Sequence, residues 1–338
     1  MANDHGKTQL PDILVQSTNP ALREQLERLK ATMIEAEARQ AAKEIHKELE
    51  GWVGGHDKPW LPICPMPTDL CRVSPFFPMD KASLNLRDYL EGMVITETSW
   101  GRISYYGPRL STYEEDVLMA ILALLDDKGN RKETLVDGAK TYTYRGSLLP
   151  ILRMMGLTDQ GKNYARIKAS LRRLTTAALE MEIFKRSKTG KRKVTKSDMT
   201  SLLARFRWDE ELQELTVTVN PYFFETYIQG GVTRLDVIRR AELRSPIAKA
   251  LYRFIQSHRD DHWQGHFLTL ASTLNLEETL PNFRKRDRIR TAVRRLIAAK
   301  LLTKASGFKK IAPNVVTLIR SKESHTKRKT ITQDCSGL

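Results

Sequence analysis

The sequence predicts an α+β fold of two tandem winged-helix domains, preceded by an N-terminal helix and a Pro-rich linker. The main observation is an internal repeat, because RIKASLRRL at residues 166–174 recurs as RIRTAVRRL at residues 288–296, 122 positions later. In both copies a short apolar segment and a polar turn precede this longer helix, whose apolar positions fall at i, i+4 and i+7. Short β-type segments follow each copy. The pattern is typical of a helix-turn-helix followed by a wing, present twice.

The N-terminal region predicts one amphipathic helix over residues 20–50. This stretch is rich in Ala, Leu, Glu, Lys and Arg, and Leu22, Leu26, Leu29 and Met33 recur at three- and four-residue spacing. The apolar stripe is too short for three or four clean heptads, which favours a helix docked on its own chain. Self-association through this helix as a coiled coil is the alternative.

The rest of the chain divides by composition. Six prolines between residues 53 and 79 predict a semi-extended linker without regular structure. The tail at 321–338 is polar, cationic and aperiodic, which predicts disorder. The sequence thus predicts an N-terminal extension at 1–52, a first winged-helix domain at 80–232 and a second at 233–320.

Each copy of the repeat is also preceded by one further helix, at residues 113–125 and 246–257. The same ungapped offset aligns three apolar positions before each long helix, which are Leu148, Leu152 and Met154 with Leu270, Leu274 and Leu276. The β-type segments lie at 179–184, 202–208 and 215–219 in the first copy, and at 301–304 and 315–319 in the second.

The chain is strongly basic, with 56 Lys and Arg against 40 Asp and Glu in 338 residues, a formal net charge of +16. This charge predicts a polyanionic partner, because neutralised phosphates release condensed counterions. A membrane surface is the other common polyanion, but the chain has neither a run of ~20 apolar residues nor a signal-peptide core. We therefore expect a soluble cytoplasmic protein that binds double-stranded DNA and no membrane, with three cysteines that are reduced and incidental.

The long helices of the repeat are the predicted recognition helices. Their apolar stripes turn a cationic face to solvent, and the N-terminal half of such a helix reaches base edges. We expect Lys162, Arg166, Arg284 and Arg288 to read bases. A solvated cationic face without a ligand is the alternative interpretation.

Phosphate contacts are expected from residues further along both helices and from the wings. Residues 185–196 (KRSKTGKRKVTK) hold seven basic residues and no acid around a Thr-Gly turn, which predicts a basic hairpin tip, a flexible loop being the alternative. The predicted backbone contacts are Arg172, Arg173, Lys185, Arg186, Lys188, Lys191, Arg192, Lys193, Arg294, Arg295, Lys309 and Lys310. Lys304 is a further candidate for the second wing.

Two motifs match patterns typical of nucleotide or metal sites, but their sequence context argues against both. Residues 156–163 fit G-x-x-x-x-G-K but place Asn163 where a phosphate loop needs a hydroxyl, and the repeat puts them in the helix-turn-helix turn. His258, His262 and His266 have helical metal-ligand spacing, but the acids and glycine around them predict a loop after the helix has ended. Because no nucleophile or metal set emerges, we expect no cofactor, no metal and no enzymatic activity.

Four strings occur in order between residues 100 and 280, which are GRISYYG at 101–107, SLLARF at 201–206, LRSPIA at 243–248 and SHRD at 257–260. Their order and spacing give this part of the chain a resemblance to the TrfA-type plasmid replication initiators. It implies a non-enzymatic cytoplasmic bacterial protein whose tandem winged helices bind direct repeats at an origin. It further implies opening of an AT-rich segment with a host replication initiator, and loading of the replicative helicase.

Two other classes stay open at this stage. A transcription regulator could use the same DNA-binding domains on an operator, since fold does not fix what DNA occupancy achieves. A DNA-processing enzyme is the third class, and the missing catalytic pattern speaks against it.

Overall fold

A computed structural model describes residues 27–41, 43, 62–79, 88–99, 101–127, 131–186, 192–229 and 231–322. It confirms the α+β class and the two winged-helix units, because each predicted recognition helix follows a short helix and precedes a β-hairpin. Among these residues, no helix combines the length and apolar character needed to cross a membrane.

The first part of the chain alternates short strands with helices. After helix α1 at residues 27–41, the elements are β1 Ile63–Pro67, α2 Thr68–Arg72, β2 Phe76–Phe77, β3 Tyr89–Glu97, β4 Gly101–Pro108, β5 Leu110–Ser111, α3 Thr112–Asp126, β6 Arg131–Val136, β7 Ala139–Gly146, α4 Leu149–Met154, α5 Gly161–Thr176, β8 Ala178–Arg186, β9 Arg192–Ser201, β10 Leu203–Asp209, β11 Glu214–Val219 and α6 Pro221–Ile228.

The second part is shorter and helical at its centre. Its elements are β12 Val232–Asp236, α7 Val237–Glu242, α8 Pro246–Gln256, β13 His262–His266, α9 Phe267–Thr273, α10 Asn282–Ala298, β14 Gly307–Phe308 and β15 Val315–Ile319.

Two four-stranded sheets belong to the first winged helix. The strand orders are β3-β4-β8-β9, which contains the basic hairpin, and β10-β11-β7-β6. The second winged helix has a three-stranded sheet in the order β13-β15-β14. Two small sheets, β1-β12 and β2-β5, fasten the Pro-rich segment to the rest of the chain.

Helix α3 lies at the centre of the molecule. Ser111 and Glu114 form a capping box at its start, and the following run of Val, Leu, Met, Ile and Ala is buried on all sides. An all-round buried helix explains why this segment is apolar without a clear stripe.

The expectation that the Pro-rich segment lacks regular structure was wrong for residues 63–77. Strand β1 pairs antiparallel with β12, and Met66, Leu70 and Phe76 are buried in the core. Pro65 and Pro67 alternate along an edge strand, where every second N–H points away from the partner and is not needed. The prolines therefore fit the strand rather than break it.

Helix α1 docks on its own chain, as predicted, but not through the predicted stripe. Leu29 and Met33 are 57% and 45% exposed. Ile34 is buried instead, in a cleft that Ile238 of α7 and Ala298 of α10 also line. The described part of the predicted stripe, Leu29 and Met33, is thus on the outer face of the docked helix, and Leu22 and Leu26 lie outside the described residues.

The repeat is confirmed in the recognition helices but shifted in the helices before them. Ile167, Leu171 and Leu174 of α5 are buried, as are their counterparts Ile289, Val293 and Leu296 of α10. The preceding helices both end in a left-handed residue, Gly156 at φ 64° and Asn275 at φ 54°, an offset of 119. The alignment without a gap was therefore wrong by three residues for the segment before the turn. Counted from the left-handed residue to the start of the repeat, the second copy is three residues longer than the first.

Two expectations for the second unit were also wrong, one for a strand and one for a loop. Residues 301–304 are not a strand, since Leu302 makes only an isolated bridge to Arg320. The wing is instead the β14–β15 hairpin, beside β13. Helix α8 ends before the three histidines, as predicted, but His262 and His266 are the ends of a strand and not part of a loop.

Candidate nucleic-acid interface

The turn between α4 and α5 is held by backbone and side-chain hydrogen bonds. The Leu157 amide donates to the Leu152 carbonyl at 2.9 Å, and the buried Asn163 donates to the Thr158 carbonyl at 2.8 Å. The G-x-x-x-x-G-K string therefore lies between two helices, and its interpretation as a helix-turn-helix turn is confirmed. Asn163 is there because its amide ties the turn to the start of α5.

The predicted base-reading residues of α5 face solvent at its N-terminal half. Lys162 and Arg166 are both exposed. The Arg166 guanidinium lies over the Tyr113 ring, 4.4 Å from its centroid. Burial raises the pKa of Tyr113 to about 12, although the charge of Arg166 opposes this rise. Tyr113 therefore stays neutral, and the face of its ring packs against the Arg166 guanidinium.

Arg173 is engaged within the fold. Its guanidinium donates to Glu114 at 2.6 Å, and the buried Glu114 also accepts from Ser170 at 3.0 Å and from the Ser111 amide at 2.8 Å. One carboxylate thus caps α3 and anchors α5. This pair would have to open before Arg173 could contact phosphate. Arg172, its neighbour, is exposed.

The first wing is the β8–β9 hairpin. Lys185 and Lys193 are exposed along it. Arg192 pairs with Glu97 at 2.6 Å, so part of its charge is already balanced. Lys188, Lys191 and the side chain of Arg186 lie outside the described residues. The hairpin form was predicted correctly, and its role on DNA stays a prediction.

On α10, the two predicted base-reading residues are differently placed. Arg284 is exposed, whereas Arg288 is half-buried, and both lie in the N-terminal half of the helix. Lys309 and Lys310 are exposed beside α10, just after β14. The second unit thus repeats the arrangement of cations on helix and wing.

Carboxylates of α1 occupy the C-terminal half of α10. Arg294 donates to Glu27, and Arg295 pairs with Glu37 at 3.1 Å. Burial by itself would raise the pKa of Glu27, but the hydrogen bond and charge of Arg294 outweigh it and lower that pKa. Both arginines, predicted as phosphate contacts, therefore already have internal anions.

Two further arginines of α10 were missed at the sequence level. Arg286 and Arg290 lie on the side of α10 that faces the wing, with their guanidiniums over the rings of Phe267 and Phe308. Their spacing of four, continued by Arg294, was a visible signal that they share one side of the helix.

A buried ionic cluster joins the first unit to the second. The Arg240 guanidinium donates to Glu115 at 2.6 Å and to Asp116 at 2.7 Å. Arg253 donates to Glu115 at 2.7 Å, and Lys249 donates to Asp116 at 2.5 Å. Burial would lower the pKa of Arg240, but the carboxylates of Glu115 and Asp116 raise it overall. These hydrogen bonds fix α7 and α8 against α3.

Comparisons with known proteins give a family match and several likenesses to solved structures, among them two structures of RctB domains. Residues 102–256 match the family model described as Initiator Replication protein, WH1. A crystal structure of domains 2 and 3 of RctB is 15% identical, with a TM-score of 0.49 over 75% of this chain and 98% of that chain. A second structure of those domains is 13% identical, with a TM-score of 0.46 over 76% and 98%. No curated protein matches the sequence significantly. The family match spans the first helix-turn-helix, its wing and α8.

Proposed function

We propose that this chain, whose residues 102–256 match the family model described as Initiator Replication protein, WH1, starts plasmid replication by binding direct repeats at the origin. The predicted resemblance to replication initiators is confirmed for this segment. Binding of repeats, origin opening and helicase loading are the specific steps that we propose.

The observation that carries the proposal is the recurrence of cations at one register of the two long helices, three of them exposed and Arg288 half-buried. Lys162 and Arg166 of α5 correspond to Arg284 and Arg288 of α10, and each helix has a basic wing beside it. Arginine at such a position is suited to guanine, and cations on wings are suited to phosphates. One chain therefore carries two DNA-reading units.

The two units are not identical, which suits an asymmetric target. In the repeat, Lys162 corresponds to Arg284 and Ala169 corresponds to Thr291. The first wing is also more basic than the second. Two helix-turn-helix units enter successive major grooves about 34–36 Å apart, so one chain should protect about two turns of DNA. Footprinting at limiting protein tests this expectation. A single protected turn, or a two-fold symmetric footprint bound by two chains, would contradict it.

The partners beyond DNA are proposed from the resemblance. They are the host replication initiator and the replicative helicase. Self-association is proposed for α1, whose Leu29 and Met33 form an exposed apolar pair on the docked helix.

Plasmid maintenance tests the proposed function directly. The gene and a candidate origin are placed on a vector that cannot otherwise replicate in the host, and transformants are counted. We expect stable transformants with the wild-type gene and with Lys140→Ala, which removes an exposed cation from β7, outside both recognition helices and wings. Arg288→Ala should abolish maintenance. Repeat binding without maintenance by the wild-type gene would indicate a transcription regulator instead.

A further inference from the structure

A strongly cationic cleft lies between α10 and the β14–β15 wing. Its volume is about 400 Å³, and Val293, Ile297 and Phe308 supply apolar walls. No carboxylate is among the described residues that line it. The cations at its edge are Arg286, Arg290, Arg294, Lys309 and Lys310. Such an excess of one sign, enclosed by apolar walls, attracts anions.

The arginines of this cleft are held in place by aromatic rings. The Arg286 guanidinium lies 4.9 Å from the Phe267 centroid and donates to Asn314. Arg290 lies 5.4 Å from the Phe308 centroid, and its ion pair with Asp287 is long, at 3.9 Å. The Nε of Arg286 is buried without a hydrogen-bond partner in the described part of the chain. Both guanidiniums are thus preorganised by stacking and keep donors for a ligand.

One arginine of the cleft already binds a carboxylate from outside it. Arg294, which lines it, donates to the Glu27 carboxylate of α1. This contact shows that α10 accepts an oxyanion at that point, and that the anion belongs to a helix docked from outside.

The row of arginines is better suited to the successive phosphates of a nucleic-acid strand than to one small anion. Arg286, Arg290 and Arg294 follow one another at intervals of four residues, about 6 Å along the helix. The same helix carries Arg284 and Arg288 on its outer face, so a duplex held there would pass beside the cleft.

We propose that the cleft between α10 and the β14–β15 wing binds backbone phosphates of duplex DNA, and that DNA must displace Glu27 from Arg294 to fill it. The proposal rests on the proposed function, because it names how the second unit grips its DNA. Arg286 and Arg290 are the new phosphate ligands, and Glu27 is an internal competitor.

Salt-dependent binding of a random-sequence duplex to the full chain tests the phosphate site. Arg290→Gln should lower the slope of log K against log salt by about 0.9, which is roughly an eightfold loss of affinity at 0.1 M salt. Arg145→Gln is the matched control. Arg145 is an exposed cation of β7 and is paired with Glu214 of β11. We expect that control to bind with the wild-type slope.

A second pair of variants tests the competitor. Glu27→Gln should tighten binding up to about fivefold, the range of a partly exposed ion pair, and should steepen the salt slope. Glu35→Gln removes the same charge from α1, but Glu35 contacts only Arg39 of its own helix among the described residues. It should bind the duplex like the wild type.

The outcomes separate this proposal from the function on which it rests. A wild-type slope for Arg290→Gln, or equal effects of Glu27→Gln and Glu35→Gln, would overturn the cleft while leaving DNA binding intact. If the wild-type chain does not bind duplex DNA, the proposed function itself is wrong. Inorganic tripolyphosphate probes a free polyphosphate ligand. Thermal stabilisation by micromolar tripolyphosphate that Arg290→Gln loses would overturn the assignment to a DNA strand.

Discussion

Replacing Glu115 by Gln should destabilise the whole molecule, because this buried carboxylate binds arginines from the second unit. Its two oxygens accept from Arg240 at 2.6 Å and from Arg253 at 2.7 Å, and each arginine side chain is 1% exposed. The substitution keeps the shape of the side chain and removes its charge. It therefore leaves buried positive charge that water cannot reach.

The loss of stability depends on the hydrogen-bond partners that each arginine retains after the substitution. Arg240 retains Asp116 at 2.7 Å, whereas Arg253 retains only the Cys71 carbonyl at 3.2 Å among its described contacts. Removing one partner of a buried pair costs about 3–5 kcal/mol. Because Asp116 still serves Arg240, we expect the lower end, about 3 kcal/mol. For a cooperative chain of this length that corresponds to a fall in Tm of roughly 4–6 °C.

Thermal and urea unfolding measure the effect, with Glu214→Gln as the control. That variant breaks the Arg145 pair, whose arginine is 69% exposed, and should cost less than about 1 kcal/mol. The reasoning fails if both variants lose the same stability. It also fails if Glu115→Gln shifts only one of two separable unfolding transitions, because the cluster would then not hold the two units together.

Three further predictions concern the DNA interface. Arg288→Ala should weaken specific binding by about 1–3 kcal/mol and relax preference at one base, measured by competition with single-base variants of the target. Equal losses on specific and random DNA would make Arg288 a phosphate contact. Arg173→Gln should act on stability, costing about 1–3 kcal/mol, because Glu114 is buried and loses its charged partner. If stability is unchanged and duplex binding is weaker, Arg173 contacts DNA phosphate instead. Changing Lys191, Arg192 and Lys193 together should lower affinity for all duplexes and reduce the salt slope by up to about one unit per lost contact. An unchanged slope would remove this wing from the interface.

The sequence predicted the elements whose signal is local. The repeat identified α5 and α10 because buried positions recur at helical spacing within one segment. The hairpin at β8–β9 followed from basic flanks around a turn. The shift of three residues before α10 was not visible, because Asn275 ends its helix in a left-handed conformation that glycine usually adopts.

Long-range pairing could not be predicted in the same way. Glu115 and Arg240 are 125 positions apart, and in the sequence both look like ordinary surface charges of a basic chain. Arg173 and Arg295 likewise looked free because their carboxylate partners come from α3 and α1. Spacing along a helix fixes which side a residue is on, but not which distant element covers that side.

The pairings change how the basic charge of this chain acts on DNA. Arg240 and Arg253 are buried within the protein, and Arg173, Arg192, Arg294 and Arg295 are paired at its surface, so the net charge overstates the cations free to meet phosphates. Attraction to any duplex then comes mainly from exposed residues such as Lys162, Arg172 and the described lysines of the two wings. An ion pair that opens only against correctly placed phosphates lowers non-specific affinity more than specific affinity. The internal carboxylates therefore act in favour of specificity, at a cost in total binding strength.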